Sequence, residues 1–125
     1  YSLAVKSNKQ LLILISNHIP DSDILPLLKY KDITLDENNK EIKINNCLLD
    51  LTAKEYMILE LLIKNQNKVF SKANLYESIW HEEYIGDDNA IKTHISNIRS
   101  KLKKFNPNEN YIETVWGLGY RLFKK

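Results

Sequence analysis

The sequence is short of the residues that lock or punctuate a chain. Cys47 is the only cysteine in 125 residues, so no intramolecular disulfide is possible and a reducing compartment fits. By default Cys47 is a small core residue. Glycine is almost as scarce, with three. Two of them form Gly117-Leu118-Gly119, but no third glycine follows at the spacing of a nucleotide loop and no helix opens there, which leaves a hairpin turn. Long apolar runs are missing too: the longest unbroken one covers residues 11–15, far below the ~20 of a spanning helix. No small-residue cleavage site follows it. A cytoplasmic protein with no membrane contact is expected. His81-Glu82-Glu83 lacks the second histidine of a zinc helix and, with Asp87 and Asp88, reads as a solvated, cap-bearing loop. No metal, cofactor or catalytic constellation is expected, so the chain is not read as an enzyme.

A further absence points somewhere. Residues 89–104 hold five Lys or Arg and no Asp or Glu, whereas an ordinary solvated helix mixes signs so that neighbours at i,i+4 can pair. Residues 1–88 carry 10 basic and 14 acidic side chains, and residues 89–125 carry 8 and 2, so the two parts stand at −4 and +6. Such an asymmetry indicates a local anion-binding surface. In this stretch Ile91, Ile95, Ile98, Leu102 and Phe105 recur at helical spacing, which predicts a helix over 88–104 with one buried face. The opposite face holds Asn89, Thr93, Ser96, Asn97, Ser100 and Lys104. Lys92, Arg99 and Lys103 line one edge, and His94 and Lys101 the other. Amides and hydroxyls can hydrogen-bond base edges from a major groove while flanking cations neutralise phosphates. The bland alternative is a basic solvated helix.

At 125 residues and 43% apolar content, one complete domain with an appendage is expected. The appendage is residues 1–28, with Ser7 as a helix cap, Leu11, Leu12, Ile15 and Ile19 on one side, and Pro20 and Pro26 ending the pattern. It reads as the tail of an upstream domain plus a linker. From residue 29 the period becomes two: Tyr30, Ile33 and Leu35 in one strand, Ile42 and Ile44 in a second, and a third at 47–49 after Asn45-Asn46. Thr52 and Glu55 form a capping box that opens a helix with Tyr56, Leu59, Leu62 and Ile63 inward. A short extended link at 68–70 leads to Ser71, which caps a second helix carrying Leu75, Tyr76, Ile79 and Trp80. Asp87 or Asp88 would cap the third helix. After Asn106-Pro107-Asn108, two β-prone segments around the glycine pair predict a hairpin. The expected fold is α+β: an N-terminal antiparallel β-meander, three helices and a C-terminal β-hairpin, which is a winged helix-turn-helix over 29–125.

Three separated motifs, in order, resemble the C-terminal effector domain of the OmpR/PhoB family of two-component response regulators. They are Leu51-Thr52 with Glu55-Tyr56 and Leu59; His94-Ile95 through Ile98-Arg99 to Lys101-Leu102; and Thr114-Val115-Trp116-Gly117-Leu118-Gly119-Tyr120-Arg121. The resemblance implies sequence-specific binding of double-stranded promoter DNA, as a dimer on direct-repeat half-sites. The third helix would lie in the major groove and the wing, 112–123, on backbone or minor groove. It also implies an upstream receiver domain phosphorylated by a sensor histidine kinase in a phosphorelay, and a loop, 81–87, that faces RNA polymerase or the neighbouring protomer. In the upstream piece Ser7 follows Lys6 where the family has a Lys-Pro pair. Ser96 and Asn97 stand where relatives often carry Arg, so base preference should differ.

The residues assigned to DNA are therefore Asn89, Lys92, Thr93, His94, Ser96, Asn97, Arg99, Ser100, Lys103, Thr114, Trp116 and Arg121. Two have a second reading: His94 as a packing residue, and Arg99 as the partner of an acid on helix one or two. Trp80 is expected in the core, whereas Trp116 at the hairpin tip has too few neighbours to be covered. The competing class is a winged-helix interaction module that offers the same basic face to an acidic protein. An RNA-binding module is disfavoured because neither stacking aromatics on a sheet nor a glycine clamp loop is present.

Overall fold

The structure, a computed structural model, describes residues 27–86 and 89–124. The helix expected within 1–28 and the cap expected at Asp87 or Asp88 lie outside the described residues.

The described residues open with a four-stranded antiparallel meander, β1 (Leu28–Tyr30), β2 (Ile33–Asp36), β3 (Glu41–Ile44) and β4 (Cys47–Leu48), in sequential order. The single strand expected around Tyr30 to Leu35 is thus two. Lys31 takes φ 53° and reverses the chain, so that Leu28 pairs with Leu35 and Tyr30 with Ile33. Lysine has no intrinsic liking for this conformation; distant contacts accompany it. Lys31 Nζ reaches Glu109 Oε2 at 2.5 Å and Asn110 O at 3.1 Å, while Asp32 Oδ1 accepts from the Tyr111 hydroxyl at 2.7 Å. By contrast, the turn between β3 and β4 is local chemistry, Asn45 and Asn46 at φ 51° and 68°, which asparagine tolerates. Cys47 is exposed rather than a core residue. It stands in a two-residue edge strand with a neighbour on one side only.

Ile33, Leu35, Ile42 and Ile44 bury the inner face of the meander in one core shared with the helices. Helix α1 (Ala53–Lys64) starts with the full capping box: Thr52 Oγ1 accepts from Glu55 N at 3.3 Å and Glu55 Oε1 from Thr52 N at 3.0 Å. Its buried side is Glu55, Ile58, Leu59, Leu62 and Ile63, with Tyr56 half-buried. Ser71 caps α2 (Lys72–Trp80), accepting from Asn74 N at 3.0 Å. Leu75 and Ile79 point inward, and Trp80 is half-buried on the flank of the core, stacked on Tyr76 at 4.9 Å between ring centres. Helix α3 (Asn89–Phe105) buries Ile91, Ile95, Ile98 and Leu102. Phe105, expected in that stripe, is 44% exposed because α3 runs one turn beyond the core.

The hairpin of β5 (Ile112–Val115) and β6 (Gly119–Leu122) closes the domain. The expected link before α2 is stitched to it, Phe70 and Tyr120 exchanging two backbone hydrogen bonds of 2.8 Å. Gly119 permits that approach: at φ 148°, a Cβ there would sit 2.0 Å from Phe70 O. The architecture is the expected α+β winged helix. Among the described residues no helix is long and apolar enough to cross a membrane.

Candidate nucleic-acid interface

The inward stripe of α3 decides what faces out. With Ile91, Ile95, Ile98 and Leu102 buried, Asn89, Lys92, Thr93, Ser96, Asn97, Ser100, Lys103 and Lys104 are all exposed. A second anchor sets the roll of the helix: Lys101 Nζ lies 2.6 Å from Glu55 Oε1, the buried acid of the capping box on α1. Burial pushes the Glu55 carboxyl up. The hydrogen bonds from the Lys101 ammonium and the Thr52 backbone N–H, with the charges of Lys101 and His94, outweigh it and hold the group below its ordinary range. Lys101, not Arg99, is therefore the α3 cation paired with an acid on helix one.

Between α3 and the wing runs a groove of about 920 Å³, lined by Lys92, Ser96, Arg99, Ser100 and Lys103 from the helix and Thr114, Trp116 and Leu118 from the hairpin. Seven of the sequence-assigned residues meet there. Thr93, Asn97 and Asn89 stay on the exposed face of α3 outside the groove lining. Trp116 is 90% exposed at the wing tip.

The remaining cations are not equally free to meet an anion. Arg99 Nη2 donates to Ile112 O at 2.8 Å and to Thr114 Oγ1 at 3.0 Å. Arg121 Nε donates to Glu113 Oε1 at 2.9 Å, directly across the hairpin. Lys103 Nζ reaches Pro107 O at 3.2 Å and Asn110 Oδ1 at 3.1 Å. His94 is half-buried, its Nδ1 2.7 Å from Ala90 O and its ring edge-on to Trp80 at 5.3 Å. The ring is thus packed against its own helix and against Trp80.

Sequence reasoning passed over Lys72, Tyr84 and Leu118, which also line the groove. Lys72 had a signal. It is the first residue of α2, whose first turn holds no acid, and a cation at the positive end of a helix runs against the dipole unless an anion lies nearby. Tyr84 had none, since a loop residue's neighbours depend on how the loop packs. Its ring meets Tyr76 at 5.6 Å and its N–H donates to Glu77 Oε2 at 3.1 Å. The adjacent Ile85 is 85% exposed. Among the described residues no group of three or more His, Cys, Asp or Glu converges as a metal site would require.

The sequence model of the family described as "Transcriptional regulatory protein, C terminal" matches residues 45–122. The Bacillus subtilis (strain 168) protein described as "Uncharacterized transcriptional regulatory protein YcbL" is 35% identical over 96 residues, covering 77% of this chain and 42% of the relative. The chain thus spans about two fifths of that relative's length. Among solved structures, the DNA-binding domain of the response regulator AdeR, in complex with an intercistronic region, is 30% identical with a TM-score of 0.67, covering 78% of this chain and 99% of that one. The DNA-binding domain of CpxR from E. coli is 28% identical with a TM-score of 0.69, covering 78% and 96%.

Proposed function

The chain belongs to the family of C-terminal domains of transcriptional regulatory proteins, of the OmpR/PhoB type, and from that premise we propose that it is a sequence-specific DNA-binding effector domain of a two-component response regulator. The observation that carries this reading is the groove between the acid-free outer face of α3 and the bare wing tip. A polar helix face of that width suits a major groove, with the hairpin beside it on backbone or minor groove. We assign base contacts to Thr93, Ser96 and Asn97, supported by Asn89 and Ser100 at either end of the face. Lys92 and Lys103 meet phosphate, and the wing contributes Trp116 and Thr114, with Arg121 beside them. His94 acts by holding α3 on Trp80.

In the whole protein, residues 1–28 are the tail of an upstream receiver domain that a sensor kinase phosphorylates. Two copies sit on direct-repeat half-sites, and the loop 81–87, with Ile85 bare, faces RNA polymerase. The protein acts by binding rather than catalysis, in the cytoplasm.

The test is a titration with duplex DNA at several salt concentrations. Binding through counterion release loses affinity linearly in log–log form as salt rises, by about 0.9 per phosphate neutralised. Within it, Asn97→Ala should cost about 1 to 3 kcal/mol on the preferred site and much less on random duplex. Absence of duplex binding at low salt would reject the reading and favour an acidic protein partner for the same face.

A further inference from the structure

The arginine of the wing and the arginine of the helix edge beneath it are both engaged within the domain. Arg99 is bound from α3 to β5 at two points, Ile112 O at 2.8 Å and Thr114 Oγ1 at 3.0 Å, and its guanidinium carbon lies 5.9 Å from the centre of the Tyr120 ring on β6. One planar group thus touches both wing strands. A guanidinium holds its donors in a rigid fork and stays charged at any ordinary pH, so it can act as a fixed spacer. On the same hairpin Arg121 is paired with Glu113 at 2.9 Å. Beyond these contacts the tip is uncharged: Trp116 and Leu118, 90% and 64% exposed, flank Gly117 at φ 78°.

We infer that Arg99 is a positioning residue, which clamps the wing at a set distance from α3 and so aims the apolar tip of Trp116 and Leu118, instead of neutralising a phosphate. The inference rests on the duplex-binding reading for what the tip meets, the sugar faces of DNA. An indole offers apolar surface and one N–H donor there. Charge neutralisation in the groove then falls to lysines such as Lys92.

The experiment compares Arg99→Lys, Arg99→Ala and Lys92→Ala with the unmodified chain on a random-sequence duplex over a range of salt. Both hydrogen bonds leave from Nη2; lysine keeps the charge but ends one bond short of that atom and has no planar group to lay beside Tyr120. Both Arg99 variants should weaken binding about tenfold, the scale of a lost charge-assisted hydrogen bond, with the log–log salt slope unchanged. Lys92→Ala should lower that slope by about 0.9. Without DNA, amide exchange across residues 112–122 should quicken in both Arg99 variants while α1 stays protected. The inference is overturned if Arg99→Ala lowers the slope by about 0.9 and Arg99→Lys restores affinity, or if the wing amides of both variants exchange as in the unmodified chain. If the unmodified chain binds no duplex, the proposed function fails, and amide exchange alone decides the clamp.

Discussion

In the meander, Ile33, Leu35, Ile42 and Ile44 are each at most 1% exposed, whereas in the wing Ile112, Tyr120 and Leu122 are covered at the base and Trp116 and Leu118 stand bare. The β2–β3 pair at the centre of the meander and the wing are both antiparallel hairpins of four-residue strands with period-two patterning. A two-stranded hairpin is marginal alone. The meander gains its stability by laying one whole face on the helices, while the wing is fastened along its base, by Ile112, Tyr120 and Leu122 in the core and by the contacts of Phe70 and Arg99. The inward apolar residues of the first are all covered, whereas in the second only those at the base are. Position in the fold, not hydrophobicity, separates them.

The comparison breaks most visibly if the meander is not a core element. Ile44→Ala, at a fully buried site, should cost about 3 to 4 kcal/mol in denaturant unfolding; a loss below about 1 kcal/mol would mean that the sheet contributes little. Next in size is Gly119→Ala. The added Cβ would fall on the Phe70 backbone, so the wing must detach or strain, at about 2 to 3 kcal/mol, and the lowered melting temperature should come with faster exchange at Tyr120.

The platform beneath the wing gives a third test, Glu55→Gln, which should cost about 2 kcal/mol near neutral pH by leaving Lys101 without its charged partner. The folded carboxyl is held low, so it binds protons less readily than in the unfolded chain. Its stabilisation is present above the ordinary glutamate value of about 4.3 and is lost as pH falls through the lower folded value. Melting temperatures of the two proteins should therefore converge on acidification below the ordinary glutamate range, and a gap that widens on acidification would contradict the sign. The smallest effect sharpens the contrast: Trp116→Ala should change stability by no more than about 0.5 kcal/mol while weakening duplex binding on every sequence. A markedly lowered melting temperature would show that the tip belongs to the fold.

Local chemistry was what the sequence displayed well. The Thr52–Glu55 box, the Ser71 cap, the four buried residues of α3 and the glycine hairpin all depend on residues within a few positions of one another. What it hid depends on distance along the chain. The turn at Lys31 is accompanied by bonds to Glu109, Asn110 and, through Asp32, Tyr111, and the partners of Lys101 and Arg99 lie on other elements. In the candidate site, helical periodicity was enough to place Lys92, Ser96 and Ser100 in the groove. It could not tell a cation facing outward from Arg99 or Arg121, whose engagement requires the wing to be in place.

The hydroxyl of Tyr30 carries a consequence in time. It donates to the carbonyls of Tyr111 and Phe123, 81 and 93 positions later, and contacts so far apart in sequence close late in folding. At ribosomal speeds of about 5 to 20 residues per second, the first strand waits roughly 5 to 20 seconds between its own emergence and that of its last partner. Through that interval the inner face of the meander has no finished helical layer above it. The interval, more than the finished fold, is when the apolar side chains of Ile33, Leu35, Ile42 and Ile44 have least to cover them.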